Sequence, residues 1–167
     1  MGIREIINVK DPILRKKSRE VTEITPRILT LLDDMRETLG LVCGVGLAAV
    51  QVGVLRRIAI IDVLNEETEE IIELINPEII LEEGEQTGVE GCLSLPGEYG
   101  IVTRPQKVRV RYQNRDGELC EFEGEDLTAR AICHELDHLD GIIYTDIAES
   151  MLTEEEATEY DRPDKSE

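Results

Sequence analysis

The chain has 167 residues, of which 41% are hydrophobic, so it can bury a core and is too apolar for wholesale disorder. Lys and Arg number 18 against 37 Asp and Glu, and the net charge of −19 repels nucleic-acid phosphates and anionic lipid, which excludes nucleic acid and membrane as direct partners. Aromatic residues are only 3% with no Trp, so the core must be aliphatic.

No signal peptide opens the sequence, and no run of about 18 apolar residues could span a bilayer. The expected location is cytoplasmic, where Cys43, Cys92, Cys120 and Cys133 stay reduced and free to act as ligands or core residues. With no internal repeat and no linker, residues 1–167 read as a single domain.

Residues 3–21 read as an extended arm with a turn at Asp11-Pro12. Thr25-Pro26 looks like a helix start, with Thr25 as N-cap. Ile28, Leu31, Leu32, Met35 and Leu39 recur at helical spacing, so the pattern predicts an amphipathic helix over 26–39 that Gly40 ends. Gly44-Val45-Gly46-Leu47-Ala48-Ala49-Val50-Gln51 is either a loop leading into a strand or a backbone kept bare for a ligand.

A β-branched run predicts a buried strand over 55–63, and Asn65-Glu66-Glu67 supplies a turn. Further strands are expected over 70–75 and 78–81, broken at Asn76-Pro77. Residues 82–90 read as a turn and an approach strand. Residues 107–113 alternate as a half-exposed strand, and Asp116-Gly117 turns it back into a partner with Leu119, Glu121 and Glu123. Asp126 is placed to cap the next helix, with Gly141 as its C′ residue. Thr153-Glu154-Glu155-Glu156 resembles a capping box, so 149–167 is expected to be an acidic segment, helical at first and then frayed. The sum is an α+β fold, with mostly antiparallel strands wrapping a central helix.

That central helix carries His134-Glu135-Leu136-Asp137-His138, which holds both histidines of the protein. Residues four apart share a helix face, so two imidazoles can bind one metal, with Glu135 beside it as a general base. Leu127, Ala131, His134 and His138 fall on the same face, which points them inward. Catalytic zinc-like sites usually take three protein ligands. The third is a cysteine or a carboxylate. Cys133 points about 100° away from His134, and Cys43 and Cys120 have no favourable context. Cys92 lies among turn residues able to hold a thiolate.

Three stretches together resemble the peptide deformylase family: Gly44–Gln51 looks like its GxGLAAxQ motif, Glu90–Ser94 like EGCLS, and His134–His138 like HExDH. The resemblance covers roughly residues 3–148. It implies that Cys92, His134 and His138 bind the metal. The family's ion is typically Fe2+, with Zn2+, Ni2+ or Co2+ able to occupy the site. A bound dication lowers the pKa of water from ~15.7 towards ~7, and Glu135 would shuttle the proton to the leaving amine. Gln51 and the Leu93 backbone N–H would donate to the oxyanion, each such donor being worth ~3–4 kcal/mol.

The implied substrate is an N-formyl-methionyl peptide, and formate is released. Gly46 would let the substrate backbone pair as an added strand. Leu127 and Ala131, with Val45 opposite, would border the methionine pocket; Glu90 and Gly91 belong to the same substrate-binding region. Glu90 and Asp137 are also candidates for support of the ligands or an ion pair with Arg104. Position 133 is Cys where many members have Gln. Some members are thought to contact the ribosome through a basic helical tail, which the acidic segment here does not support. The alternative reading is a zinc metallopeptidase of another specificity. The Cys92 ligand and Gln51 count against it.

Overall fold

A computed structural model of the chain describes residues 2–63 and 70–160. The arm leads into a single 3-10 turn at Pro12–Arg15, with the Asp11 carboxylate accepting from the Ile13 N–H. Helix α1 spans Pro26–Val42, and Thr25 caps it by accepting from the Ile28 N–H. The helix does not stop at Gly40. Glycine inside a helix costs only about 1 kcal/mol relative to alanine, so the helical bonds continue past it, and Cys43 ends the run in the left-handed region at φ 54°.

Strand β1 (Gly46–Ala48) and a 3-10 turn (Ala49–Val52) follow, then β2 (Ile58–Asp62) and β3 (Ile71–Glu83). The expected turn at Asn65-Glu66-Glu67 lies outside the described residues. The break expected at Asn76-Pro77 is instead a bulge within one strand of 13 residues. Asn76 takes φ 53°, and its side chain accepts from Val21 N–H while donating to the Val21 carbonyl and to Gln113 Oε1. Those bonds tie the arm to the sheet at the point where the ladder slips.

Strands β4 (Gln86–Cys92), β5 (Leu95–Arg104), β6 (Lys107–Gln113) and β7 (Leu119–Glu125) come next. Helix α2 spans Asp126–Leu139, followed by a 3-10 turn at Tyr144–Asp146, strand β8 (Ser150–Thr153) and helix α3 (Glu154–Tyr160). Asp126 does not cap α2. It is the first helical residue, at φ 54°, and its carboxylate accepts from Gln106 Nε2. At the other end, Gly141 N–H donates to His138 O and Ile142 N–H to Asp137 O, the paired bonds of a Schellman motif. Gly141 has φ 76°, and a Cβ there would lie 2.4 Å from the Arg15 carbonyl oxygen, so only glycine fits. The capping box of α3 is present, with Glu156 N–H donating to Thr153 Oγ1 and Thr153 N–H to Glu156 Oε1.

The strands form two antiparallel sheets, ordered β1-β2-β3-β6-β7 and β4-β5-β8. On β2, Ile58 and Ile60 join the α1 cluster with Leu32 and Met35, while Ile61 joins the α2 cluster with Ile132 and Leu139. The larger sheet is thus covered by one helix on each face. Each fully buried Ile or Leu contributes about 1.5–3 kcal/mol by leaving water, and α2 is the most enclosed element, with ten of its 14 residues buried.

One buried carboxylate fastens α1 to this sheet. Glu73 on β3 accepts from Arg36 of α1 at 2.6 Å and from two guanidinium nitrogens of Arg115, beyond β6, at 2.8 and 2.6 Å. Burial alone would raise its pKa, but the two guanidiniums prevail and hold it below the ordinary glutamate value. A depressed carboxylate stabilises the fold above its unfolded pKa and stops doing so as pH falls through the folded one. Glu73→Gln is therefore expected to cost about 1–2 kcal/mol near neutral pH. In urea melts, its deficit against the parent protein should shrink below the ordinary glutamate pKa of about 4.3. A deficit independent of pH would reject the electrostatic account.

Candidate active site and metal centre

Helix α2 sets His134 and His138 one turn apart, with ring centroids 5.0 Å from each other. The end of β4 brings Cys92 to them, its Sγ 3.3 Å from His138 Nε2. The ligand atoms of Cys92, His134 and His138 all lie within 4.8 Å of one another, and no other such trio of His, Cys, Asp or Glu forms among the described residues. One soft thiolate and two imidazoles make a donor set suited to a divalent transition metal, and a closed structural site would need a fourth protein ligand. The trio therefore fits a catalytic ion. Cys43 and Cys120 stand apart from it. Cys133 is buried, and burial pushes its thiol up to about 12.

Glu90, on β4, fixes the His134 ring. Its Oε2 sits 2.6 Å from His134 Nδ1 and accepts from Arg104 Nη2 at 2.6 Å; its Oε1 accepts from Arg104 Nε at 3.0 Å and from Arg130 Nη1 at 3.0 Å. Burial would raise the Glu90 pKa, but His134 and Arg104 outweigh it and hold it at about 2. An ionised carboxylate only accepts, so Nδ1 carries a hydrogen. Burial opposes charge on His134, but Glu135, Cys92 and Glu90 outweigh it and raise its pKa in the metal-free protein, so a metal would take the place of the second proton on Nε2. Arg104 also donates to Asp137 at 2.6 Å, so the ion pair with Arg104 exists for both expected carboxylates. Burial, with the neighbouring His134, lowers His138 to about 3, which keeps that imidazole neutral.

Glu135 sits beside the trio, 5% exposed, and its Oε1 is buried without a partner among the described residues. Burial pushes its carboxyl up to about 7. The space where a Cβ on Gly46 would sit is taken by Glu135, whose Cγ and Oε2 would lie 2.9 Å away. Gly46 thus makes room for the carboxylate. That reason is additional to the close approach of a ligand backbone expected from the sequence.

Gln51, at 1% exposure, has its amide oriented by one bond: Oε1 accepts from the Ala48 N–H at 2.9 Å. Its Nε2 consequently faces the site, 3.6 Å from Cys92 Sγ and 3.1 Å from Ser94 Oγ. Leu93 lies in the two-residue turn between β4 and β5. The arm straps both loops, through Ile7 N–H to Gln51 O and Val9 N–H to Ser94 O.

These residues open onto a cavity of about 410 Å³ lined by Val45, Gly46, Gln51, Glu90, Gly91, Cys92, Leu93, Leu127, Ala131, His134 and Glu135. Every residue expected at the site borders it except His138, which is 1% exposed and lies beneath. Sequence reasoning missed Arg130, Tyr99 and Glu98, which also line it. Arg130 was detectable as the one arginine on the buried face of α2; Tyr99 and Glu98 offered no local signal. The cavity lies between two edge strands, β1 of the larger sheet and β4 of the smaller.

Comparisons with known proteins agree with this geometry. A family model described as polypeptide deformylase matches residues 3–154. The chain is 57% identical over 156 residues to a peptide deformylase of Caldanaerobacter subterraneus subsp. tengcongensis, covering 93% of this chain and 96% of that protein. It superposes on the crystal structure of peptide deformylase from Thermotoga maritima with a TM-score of 0.84 at 36% identity, covering 90% of this chain and 100% of the other. It also matches the Met-Ala-Ser-bound class I type b peptide deformylase from Acinetobacter baumannii, with a TM-score of 0.81 at 30% identity and coverage of 87% and 98%.

Proposed function

The chain belongs to the polypeptide deformylase family, and we propose that it removes the N-terminal formyl group from formyl-methionyl polypeptides in a metal-dependent hydrolysis that releases formate. The observation that carries this reading is the Cys92, His134 and His138 trio with Glu135 beside it, one oxygen of its carboxylate buried and without a protein partner. An ion held by Cys92, His134 and His138 would supply Lewis acidity and make water a nucleophile at neutral pH. We assign Fe2+ to the site on the family resemblance, with Zn2+, Ni2+ or Co2+ able to replace it. Anaerobically purified protein is expected to contain iron and to lose activity in air; activity unchanged by air rejects Fe2+.

Glu135, which burial pushes up to about 7 in the metal-free protein, stands beside the trio, where it would take a proton from the attacking water and return it to the leaving amine. The Gln51 amide and the Leu93 N–H donate to the oxygen that becomes negative at the formyl carbon. Because Gln51 Oε1 is already committed to Ala48, only the donor end of the amide can meet that oxygen. Gln51→Leu is expected to lower kcat by about 10²–10³-fold with little change in KM, and a loss confined to KM would remove Gln51 from that role.

The substrate enters as an extended strand between the β1 and β4 edges, its backbone alongside Gly46, Glu90 and Gly91. Its methionine side chain is received by Val45, Leu127 and Ala131. That the Acinetobacter baumannii peptide deformylase has been solved with Met-Ala-Ser bound supports a methionyl peptide as the kind of ligand. Formyl-Met-Ala should be turned over, while acetyl-Met-Ala and unblocked Met-Ala-Ser should not. Equal cleavage of formyl and acetyl substrates, or cutting of internal peptide bonds, would overturn the reading.

A further inference from the structure

Arg130 is 5% exposed and sits one turn N-terminal of His134 on α2, among Ala129, Ala131, Ile132 and Cys133, where the helix otherwise buries small and apolar side chains. Its Nη1 donates to Glu90 Oε1 and to the Val102 carbonyl oxygen, both at 3.0 Å. A carboxylate offers about four lone-pair sites, and Glu90 has all four occupied: two by Arg104, one by Arg130 and one by His134. The two arginines are anchored differently. Arg104 is held by Asp137, whose side chain is 26% exposed, whereas Arg130 is held by the backbone of β5. Among the described residues, Arg130 alone links the carboxylate that orients His134 to a main-chain oxygen.

A second observation lies across the sheet. Gly88 stands inside β4, where glycine weakens a strand and often marks a close approach. A Cβ at Gly88 would already touch the Arg130 guanidinium, 3.4 Å from Nη2 and 3.9 Å from Cζ. A β-branched side chain grown from there would contend with the guanidinium for its space.

We propose that Arg130 is a positioning residue of the metal centre, acting through Glu90 to fix the His134 imidazole, and that Gly88 keeps open the room it needs. This rests on His134 being a metal ligand. Without Arg130, Glu90 keeps its buried negative charge with one site on Oε1 unfilled, and of the two arginines that orient it only Arg104 remains. The imidazole then loses its fixed direction, and its hold on the ion weakens.

The test uses the Co2+-loaded enzyme, following metal release to excess chelator by the cobalt–thiolate absorption, together with kinetics on formyl-Met-Ala. Arg130→Met is expected to release Co2+ about 10-fold faster or more, to shift the absorption, and to lower kcat while KM stays within about twofold. Arg130→Lys, keeping a charge and one donor, should recover part of the loss. Gly88→Val should speed release on its own yet add little in the Arg130→Met background, since both act on one contact. An Arg130→Met enzyme with unchanged release and spectrum overturns the proposal. So does a rise in KM with release unaltered, which would make Arg130 only a pocket wall. If the unaltered protein holds no Co2+ and leaves formyl-Met-Ala intact, the metal-site reading itself fails and this proposal falls with it.

Discussion

Glu135→Gln should retain the fold and the metal yet lose about 10²–10⁴-fold in turnover of formyl-Met-Ala, the usual worth of a positioned general acid–base. The substitution keeps the shape of a side chain wedged against Gly46 and removes only its ability to cycle a proton. Metal content by elemental analysis and circular dichroism should match the parent. Undiminished activity would take Glu135 out of the mechanism.

The same exchange has a signature in stability. In the metal-free protein, burial keeps Glu135 protonated up to about 7, whereas the unfolded chain gives up this proton near 4.5. Between those values the native state binds more protons, so stability must fall as pH rises through that window and level off above it. The decline assigned to this carboxyl is about 3 kcal/mol, and Glu135→Gln should lack it. Urea melts of the chelated proteins between pH 4 and 8 would show whether the two curves differ in slope. Parallel curves would mean that the buried carboxyl is charged at no cost.

Cys92→Ser is expected to have the second large effect. A thiolate becomes a hydroxyl that stays protonated at neutral pH, so one of three ligands is lost as an anion. Loss of supporting hydrogen bonds costs 10–100-fold in metal affinity, so loss of a direct ligand should exceed about 100-fold. Purified Cys92→Ser should contain little metal and be inactive, with excess metal restoring a fraction. Stripping the parent enzyme with a chelator should reproduce the defect and, unlike the variant, be reversed by one equivalent of metal. Full metal occupancy in Cys92→Ser would remove the thiol from the ligand set.

What could be read beforehand follows the range over which each signal acts. The spacing of His134 and His138, the Thr25 cap, the Gly141 terminus and the Thr153–Glu156 box are settled within a turn of helix, and all appear as expected. Strand β5 was hidden because Pro96, Gly97 and Gly100 punctuate it, and only pairing with β4 and β8 holds it extended. The bulge at Asn76 was read as a break because its left-handed backbone is sustained by Val21, 55 residues away in the sequence. The pairing of Glu90 with Arg104 was anticipated, yet its junction with Arg130 was not, since a buried arginine is explained only by a partner on another element. Local spacing leaves the third metal donor open between a cysteine and a carboxylate, and the family resemblance points to Cys92, whose Sγ the fold sets 3.3 Å from His138 Nε2.

The two edge strands beside the cavity bear on self-association. A free sheet edge is a template on which another chain can add, and proteins usually blunt it with charge or cover. Here β1 is only three residues long, and β4 turns its open side into a recess bounded by Leu127, Ala131 and the rim at Pro96 and Gly97. The edge groups that would otherwise template another copy are thus the ones that the proposed peptide substrate would use.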